Sequence, residues 1–175
     1  MKNNMTISTP RLTLRSVCLK DLEARHAYSS DPENTRFMMF LPNESIEETE
    51  AFIRESMAEM AKPEPNCYEF TIFLDGAQIG GIDIEMHGEG QGTLGWILDK
   101  RYWGNGYAQE AARGLMDWAR ENLGVRRFIA YCDSENAASY RLMERLGMRR
   151  TACDGGRKNR SSDEERMELT YEVEV

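Results

Sequence analysis

Leu98-Asp99-Lys100-Arg101-Tyr102-Trp103-Gly104-Asn105-Gly106-Tyr107-Ala108 reads as the end of a strand, a short loop holding two glycines, and the first turn of a helix. Main-chain N–H groups at a helix start have no partner inside the helix and point outward. The helix dipole adds partial positive charge there. Together they make a seat for a phosphate or diphosphate. Gly104 and Gly106 carry no side chain, so phosphate oxygens could come close to the backbone. Gly-x-Gly alone also fits an ordinary turn. A dinucleotide fingerprint needs a third glycine where Gln109 stands, and the Gly-Lys-Ser/Thr of a P-loop is absent.

Periodicity on either side of this stretch gives an α/β chain. Residues 11–17 alternate as a strand, and residues 21–29 follow as a helix. Ser45 with Glu48 three positions later is a capping-box pattern, and a helix runs from there to a stop at Pro63 and Pro65. Strands are expected over residues 68–74, 78–86 and 93–98, joined by the Asp75-Gly76 turn pair and a glycine-rich turn over 87–92. This is an antiparallel meander. Residues 107–123 then repeat small and apolar residues at helical spacing, with Ala108, Ala111, Ala112, Leu115 and Ala119 on one face and Gly124 closing the helix. The strand over 126–132 should run parallel to its predecessor, because a helix intervenes. A short helix over 137–146 and two strands, 148–153 and 166–173, complete the chain. The polar segment 154–165 between those strands reads as a mobile loop.

A second stretch, Ser134-Glu135-Asn136-Ala137-Ala138-Ser139-Tyr140-Arg141-Leu142-Met143-Glu144-Arg145-Leu146-Gly147-Met148, follows the parallel strand. With Arg101, Gly104 and Gly106 in an Arg-x-x-Gly-x-Gly pattern, it resembles the GNAT superfamily of N-acetyltransferases. Tyr-Trp-Gly-Asn-Gly-Tyr-Ala-Gln-Glu-Ala and the opening Thr9-Pro10-Arg11-Leu12-Thr13-Leu14-Arg15 look like the branch that acetylates ribosomal-protein N-termini, spermidine and some antibiotics. The resemblance implies a GNAT-like single domain over residues 1–175, with residues 1–8 a candidate flexible terminus. It implies a mixed, mostly antiparallel sheet of about six to seven strands flanked by helices, its central strand bulged or splayed from the next. It also implies acetyl-CoA as co-substrate, no metal, and a primary amine as acceptor, either a protein or peptide N-terminus or a small molecule. Backbone groups around Ile97 and Leu98 would meet the pantetheine arm and the thioester carbonyl. Arg101, Trp103, Gly104, Asn105, Gly106, Tyr107 and Ala108 would form the diphosphate loop. The Asn136 side chain would bond the pantetheine, with Ser139 beside it.

Direct transfer has three needs: a neutral amine, a donor for the thioester oxyanion, and a proton for the departing thiolate. Ser139 is the candidate proton donor by resemblance; a serine in a first helical turn also satisfies backbone groups. Many relatives carry a tyrosine acid where Met143 stands, and the branch often carries a glutamate where Thr93 stands. Tyr140 is the replacement acid, or else a packed aromatic. Asp83, Glu85 and His87 fall on one face of their strand, and Glu85 is taken from them as replacement base; a solvated strand face is the alternative. The two departures leave a second class open, a CoA-binding sensor or scaffold with little catalysis.

Composition fits these readings. The chain has 175 residues, 41% hydrophobic and 30% charged, with net charge −8. Acidity disfavours nucleic acid and suits a cationic acceptor. No apolar run reaches the roughly 20 residues of a membrane helix, and residues 1–9 show no export signal. Cys18, Cys67, Cys132 and Cys153 are scattered, which argues against a zinc site and suits a reducing cytoplasm. Cys132 reads as a buried, inert thiol. The pairs Arg149-Arg150 and Arg157-Lys158 read as solvated charge, with the adenosine phosphates as the alternative. Monomer and homodimer both stay open.

Overall fold

The computed structural model describes residues 5–175. In chain order these form β1 (Thr6–Ser8), β2 (Leu12–Ser16), α1 (Leu22–Ser29), α2 (Ile46–Met60), β3 (Cys67–Leu74), β4 (Ala77–Met86), β5 (Gln91–Leu98), α3 (Tyr107–Leu123), β6 (Arg127–Asp133), α4 (Ala137–Arg145), β7 (Arg149–Lys158) and β8 (Glu165–Glu174). All eight strands join one mixed sheet in the order β1-β2-β3-β4-β5-β6-β8-β7.

Local chemistry sets the element ends. Asp75 and Gly76 both take positive φ, at 49° and 82°, the paired left-handed turn that suits a two-residue hairpin. Ser45 Oγ accepts the Glu48 N–H at 3.3 Å. The reciprocal arm of the capping box goes one residue further back, where Glu48 Oε2 accepts the Glu44 N–H at 3.0 Å. Gly124 closes α3 in the left-handed conformation.

Two expectations change. The sheet has eight strands rather than six or seven. The extra one, β1, pairs with β2 through Ile7↔Leu14, so residues 6–8 are strand where a flexible terminus was expected; three residues are too few to show alternation. Residues 1–4 of that terminus lie outside the described residues. The polar segment 154–165 is the second change. β7 runs through it to Lys158, and Arg157 and Asn159 are buried. Asn159 Nδ2 donates to Asp133 Oδ2 at 2.6 Å, Arg157 Nη1 to Glu168 Oε2 at 2.6 Å, and Arg157 Nη2 to the Phe37 carbonyl at 2.8 Å. Two polar residues of this segment, Arg157 and Asn159, thus serve a buried network, while most of the others face solvent.

The core lies between the sheet and α3, where Ala111, Ala112, Leu115, Met116 and Ala119 are buried against Leu14, Phe70, Ile72, Ile82, Ile84 and Leu94. Trp118 packs edge-on to Tyr68 and Phe70, each ring 5.5 Å away. On the opposite face α1 packs on β4 and α2 on β3.

β5 and β6 are parallel, and only three rungs join them: Gln91↔Arg127, Gly92↔Phe128 and Thr93↔Ile129. Past Thr93 the strands part, while β5 stays registered with β4 without a break up to Leu98↔Gly80. The central strand is thus splayed and not bulged.

Candidate active site

The splay leaves main-chain groups of β5 without a strand partner. The Asp99 N–H donates to the Ile79 carbonyl at 2.8 Å. Alternation along an antiparallel ladder then turns Ile97, Gly95 and Thr93 toward β4. Trp96 and Leu98 turn their N–H groups the other way, into the gap. Of the two expected residues Leu98 faces the gap, whereas the main-chain groups of Ile97 belong to the β4 ladder; Trp96 is the other residue that faces the gap. Strand alternation counted from the gap could have found Trp96.

At the end of β5 the loop begins with a short 3-10 turn, Lys100–Tyr102. Asp99 caps it, accepting the Arg101 N–H at 2.9 Å and the Arg101 guanidinium at 2.6 Å. These hydrogen bonds hold the Asp99 carboxyl below the usual range, against the opposing effect of burial. The Arg101 side chain is consequently committed to Asp99 and stays outside the cleft described below. Trp103 Nε1 donates to the Leu98 carbonyl at 2.8 Å. Asn105 Nδ2 donates to the carbonyls of Tyr102 and Trp103 at 3.3 and 3.0 Å, so it braces the loop from within.

Gly104 and Gly106 have φ of 78° and 77°, a region that strains any L side chain. No atom lies within 4 Å of where a Gly104 Cβ would be, and near Gly106 only Arg11 Nη2 comes close, at 3.7 Å. The space before this backbone is open. The first main-chain bond of α3 is from the Glu110 N–H to the Gly106 carbonyl, at 3.0 Å. The N–H groups of residues 104–109 have no acceptor among the described residues. Gly104, Asn105, Gly106, Tyr107 and Ala108 thus form a cradle of free N–H groups, a backbone shape that suits an anion. Its orientation is fixed from an unexpected quarter: Glu110 accepts Thr9 Oγ1 at 2.6 Å, the Arg11 N–H at 2.8 Å and Arg11 Nε at 2.6 Å. Arg11 Nη1 also donates to the Asn105 carbonyl at 3.1 Å. Thr9 and Arg11 sit about a hundred residues away in sequence, so only the family-like opening strand hinted at them.

A cleft of about 510 Å³ joins cradle and gap. Trp96 and Leu98 line it from β5, Trp103 and Gly106 from the loop, Tyr107 and Ala108 from α3, and Ser139 and Leu142 from α4 with its N-cap Asn136. Asn136 is the N-cap of α4, its Oδ1 accepting the Ser139 N–H at 3.2 Å. Its Nδ2 has no acceptor among the described residues. The Ser139 hydroxyl has no partner among the described residues, so it is not bonded back to the helix. Asn34 closes one end, donating to the Leu98 carbonyl at 2.8 Å and accepting the Lys100 N–H at 2.9 Å. A lone asparagine in a polar loop carries no sequence signal for that role.

Three expected residues lie elsewhere. Tyr140 turns away from the cleft to a separate groove with Glu144, Arg149, Arg150 and Tyr171, one helical step being enough to change faces. Glu85 is exposed opposite Thr93, outside the cleft. His87 Nε2 lies 2.7 Å from the Thr93 hydroxyl, also outside the cleft. Met143 is fully buried core. Cys132 is buried, and burial pushes its thiol up to about 11, which keeps it neutral. Among the described residues no group of three or more His, Cys, Asp or Glu could hold a metal ion, and no helix is long and apolar enough to cross a membrane.

Residues 11–149, most of the chain, match the family model described as acetyltransferase (GNAT) domain. The uncharacterized N-acetyltransferase YnaD of Bacillus subtilis (strain 168) is 32% identical over 151 residues, 83% of this chain and 84% of that protein. A GNAT-family acetyltransferase from Bacillus anthracis superposes with a TM-score of 0.85 at 29% identity, covering 97% of this chain and 98% of the other. RimL, a ribosomal L7/L12 alpha-N-protein acetyltransferase solved in complex with coenzyme A, shares the fold at a TM-score of 0.86, 18% identity and 98% coverage of each chain. The chain belongs to the GNAT family of acetyltransferases and is an acetyl-CoA-dependent N-acetyltransferase.

Proposed function

We infer that the enzyme carries the acetyl group of acetyl-CoA directly to a primary amine, with both substrates bound at once. The acceptor is a protein or peptide N-terminus or a small-molecule amine. The observation that carries this reading is the splay between β5 and β6, which opens beyond Thr93 and Ile129 with a phosphate-sized cradle at one end. An arm that begins in the cradle would run along β5 and add its amides to the strand. The cradle of residues 104–109 would hold the diphosphate, and Asn136 Nδ2 would bond the pantetheine. The N–H groups of Trp96 and Leu98 would take the arm and the thioester oxygen. Bound there, acetyl-CoA supplies an activated acyl carbon facing the gap.

Ser139 stands in the cleft with a free hydroxyl, which supports it as the donor toward the departing sulfur. All eight strands join one sheet, which supports a single transferase domain. Four unpaired thiols suit a reducing compartment such as the cytoplasm. The neighbour RimL modifies a ribosomal-protein N-terminus, and net charge −8 favours a cationic acceptor. The test is a mass-shift screen with acetyl-CoA against free peptide N-termini and polyamines. A gain of one acetyl group with one thiol released per event is expected. Tight acetyl-CoA binding without acetylation of any amine would remove the reading.

A further inference from the structure

On the sheet face away from α3, two carboxylates stand side by side across one rung, Glu69 of β3 and Asp83 of β4. Arg25 of α1 bonds one of them, its Nη2 donating to Glu69 Oε1 at 2.7 Å. The other terminal nitrogen of Arg25, Nη1, is buried with no acceptor among the described residues. It lies over Gly81, 3.3 Å from where a Cβ there would be, two positions from Asp83 on the same face. One cation thus faces two carboxylates, and Asp83, only half-buried, has no hydrogen-bond partner among the described residues.

Asp83 pairs with Gly95 of β5, and a Cβ at Gly95 would lie 2.5 Å from Asp83 Oδ1. The carboxylate therefore rests over the Gly95 backbone, and a side chain at position 95 would displace it. Gly95 lies past Thr93, the last residue of β5 joined to β6, and is followed by Trp96, whose N–H enters the gap. Asp83 thus lies over the first part of β5 that has left β6. Glu85 stands opposite Thr93, where the strands are still joined. α3 and α4 line the cleft on one side and residues 33–34 and 36–38, from the segment between α1 and α2, on the other; an acceptor entering on the α1 side would come to the face that carries Asp83.

The geometry points to Asp83 as the catalytic residue that receives the acceptor's ammonium and takes its proton. This rests on the acetyl-transfer reading above. The amine gives one proton to the Asp83 carboxylate and its freed lone pair forms the C–N bond as the C–S bond breaks. Ser139 protonates the sulfur and is reprotonated by the second nitrogen proton, and Asp83 returns its own proton to water. The products are the amide, the free thiol and one proton.

Burial and the neighbouring Glu69 push Asp83 up to about 8, against the pull of Arg25, with Glu85 adding to the rise. Cys67 of β3 also faces it; β5 offers only Gly95, and α2 offers Phe52, stacked on the Arg25 guanidinium at 4.4 Å. A base near the working pH is the efficient kind.

The test compares the full-length protein with Asp83→Asn, using thiol release from acetyl-CoA with a free-N-terminal peptide and with spermidine, from pH 6 to 9.5. Acetyl-CoA affinity by calorimetry should stay within about twofold. The kcat of Asp83→Asn should fall by roughly 100-fold or more, and the rising limb of the wild-type kcat profile near pH 8 should vanish. Full kcat with the same limb in the variant would overturn the assignment and leave acetyl transfer standing. Binding of acetyl-CoA with no acetylation of either amine by the wild type removes both. Should Asp83→Asn fail to fold, a 13C carboxyl titration of the wild type decides: a midpoint in the ordinary carboxylate range near 4 overturns the proposal, and one near 8 supports it.

Discussion

Asn136 gives its side-chain oxygen to the Ser139 N–H and has only Nδ2 for a ligand, so removal of the whole side chain would mix two effects. Asn136→Asp separates them, since a carboxylate caps a helix as well as an amide does. We expect Tm to hold and acetyl-CoA affinity to fall by about 1–3 kcal/mol as a buried acceptor loses its donor, read by calorimetry. Unchanged affinity would put the pantetheine elsewhere. Gly106 makes a sharper case. Its φ of 77° and the open space before it mean that Gly106→Glu strains the backbone and places a carboxylate in the anion seat. Loss of measurable acetyl-CoA binding is expected; retained binding would refute the cradle. Ser139→Ala should leave binding intact and slow turnover by roughly 10- to 100-fold, and an equal rate would return Ser139 to a merely positional role.

At the scale of elements, the N-terminus of α3 is aimed by a carboxylate on its own first turn. Burial alone would raise Glu110, yet hydrogen bonds from Thr9 and from the Arg11 backbone and guanidinium hold it below the usual range. A depressed carboxylate contributes stability above its unfolded pKa and loses it as pH falls through the folded value. Glu110→Gln should therefore cost about 1–3 kcal/mol near neutral pH and converge with the wild type in acid. Thermal melts from pH 7 down to pH 3 check this, and a pH-independent deficit would show that shape rather than charge matters. The elements themselves were readable where periodicity was long. α3 begins and ends where the spacing of Ala111, Ala112, Leu115 and Ala119 and the stop at Gly124 put it. β1 was not readable, because three residues show no period. Nor was the far half of β7, because Arg157 and Asn159 look like solvent-facing residues until Asp133 and Glu168 are brought beside them. The loop before α3 was legible from Gly104 and Gly106, since positive φ leaves a residue-type signature. Trp96 and Asn34 were not, because their roles follow from which side of a strand faces a gap.

The molecule as a whole places apolar residues between sheet and α3 and concentrates charge on the opposite face. Arg25, Glu69 and Asp83 lie there under α1 and α2, from three separate elements, which is why the alternation of Asp83, Glu85 and His87 on one strand could not single out the first of them. Such a cluster weakens the fold in a pH-dependent way. A carboxyl whose folded pKa lies above its unfolded value contributes stability fully present below the unfolded pKa. For Asp83 that is below about 4, and the contribution is lost as pH rises through about 8. Asp83→Asn removes the ionisation and so removes the loss. The Tm of the variant minus that of the wild type should be smallest near pH 4.5, widen through neutrality and be largest near pH 9, each 1 kcal/mol appearing as about 2–4 °C. Differential scanning calorimetry at those pH values measures it. A gap that stays flat from pH 4.5 to 9 would mean that Asp83 ionises as freely in the fold as out of it, and that the charge on this face is ordinary solvated charge.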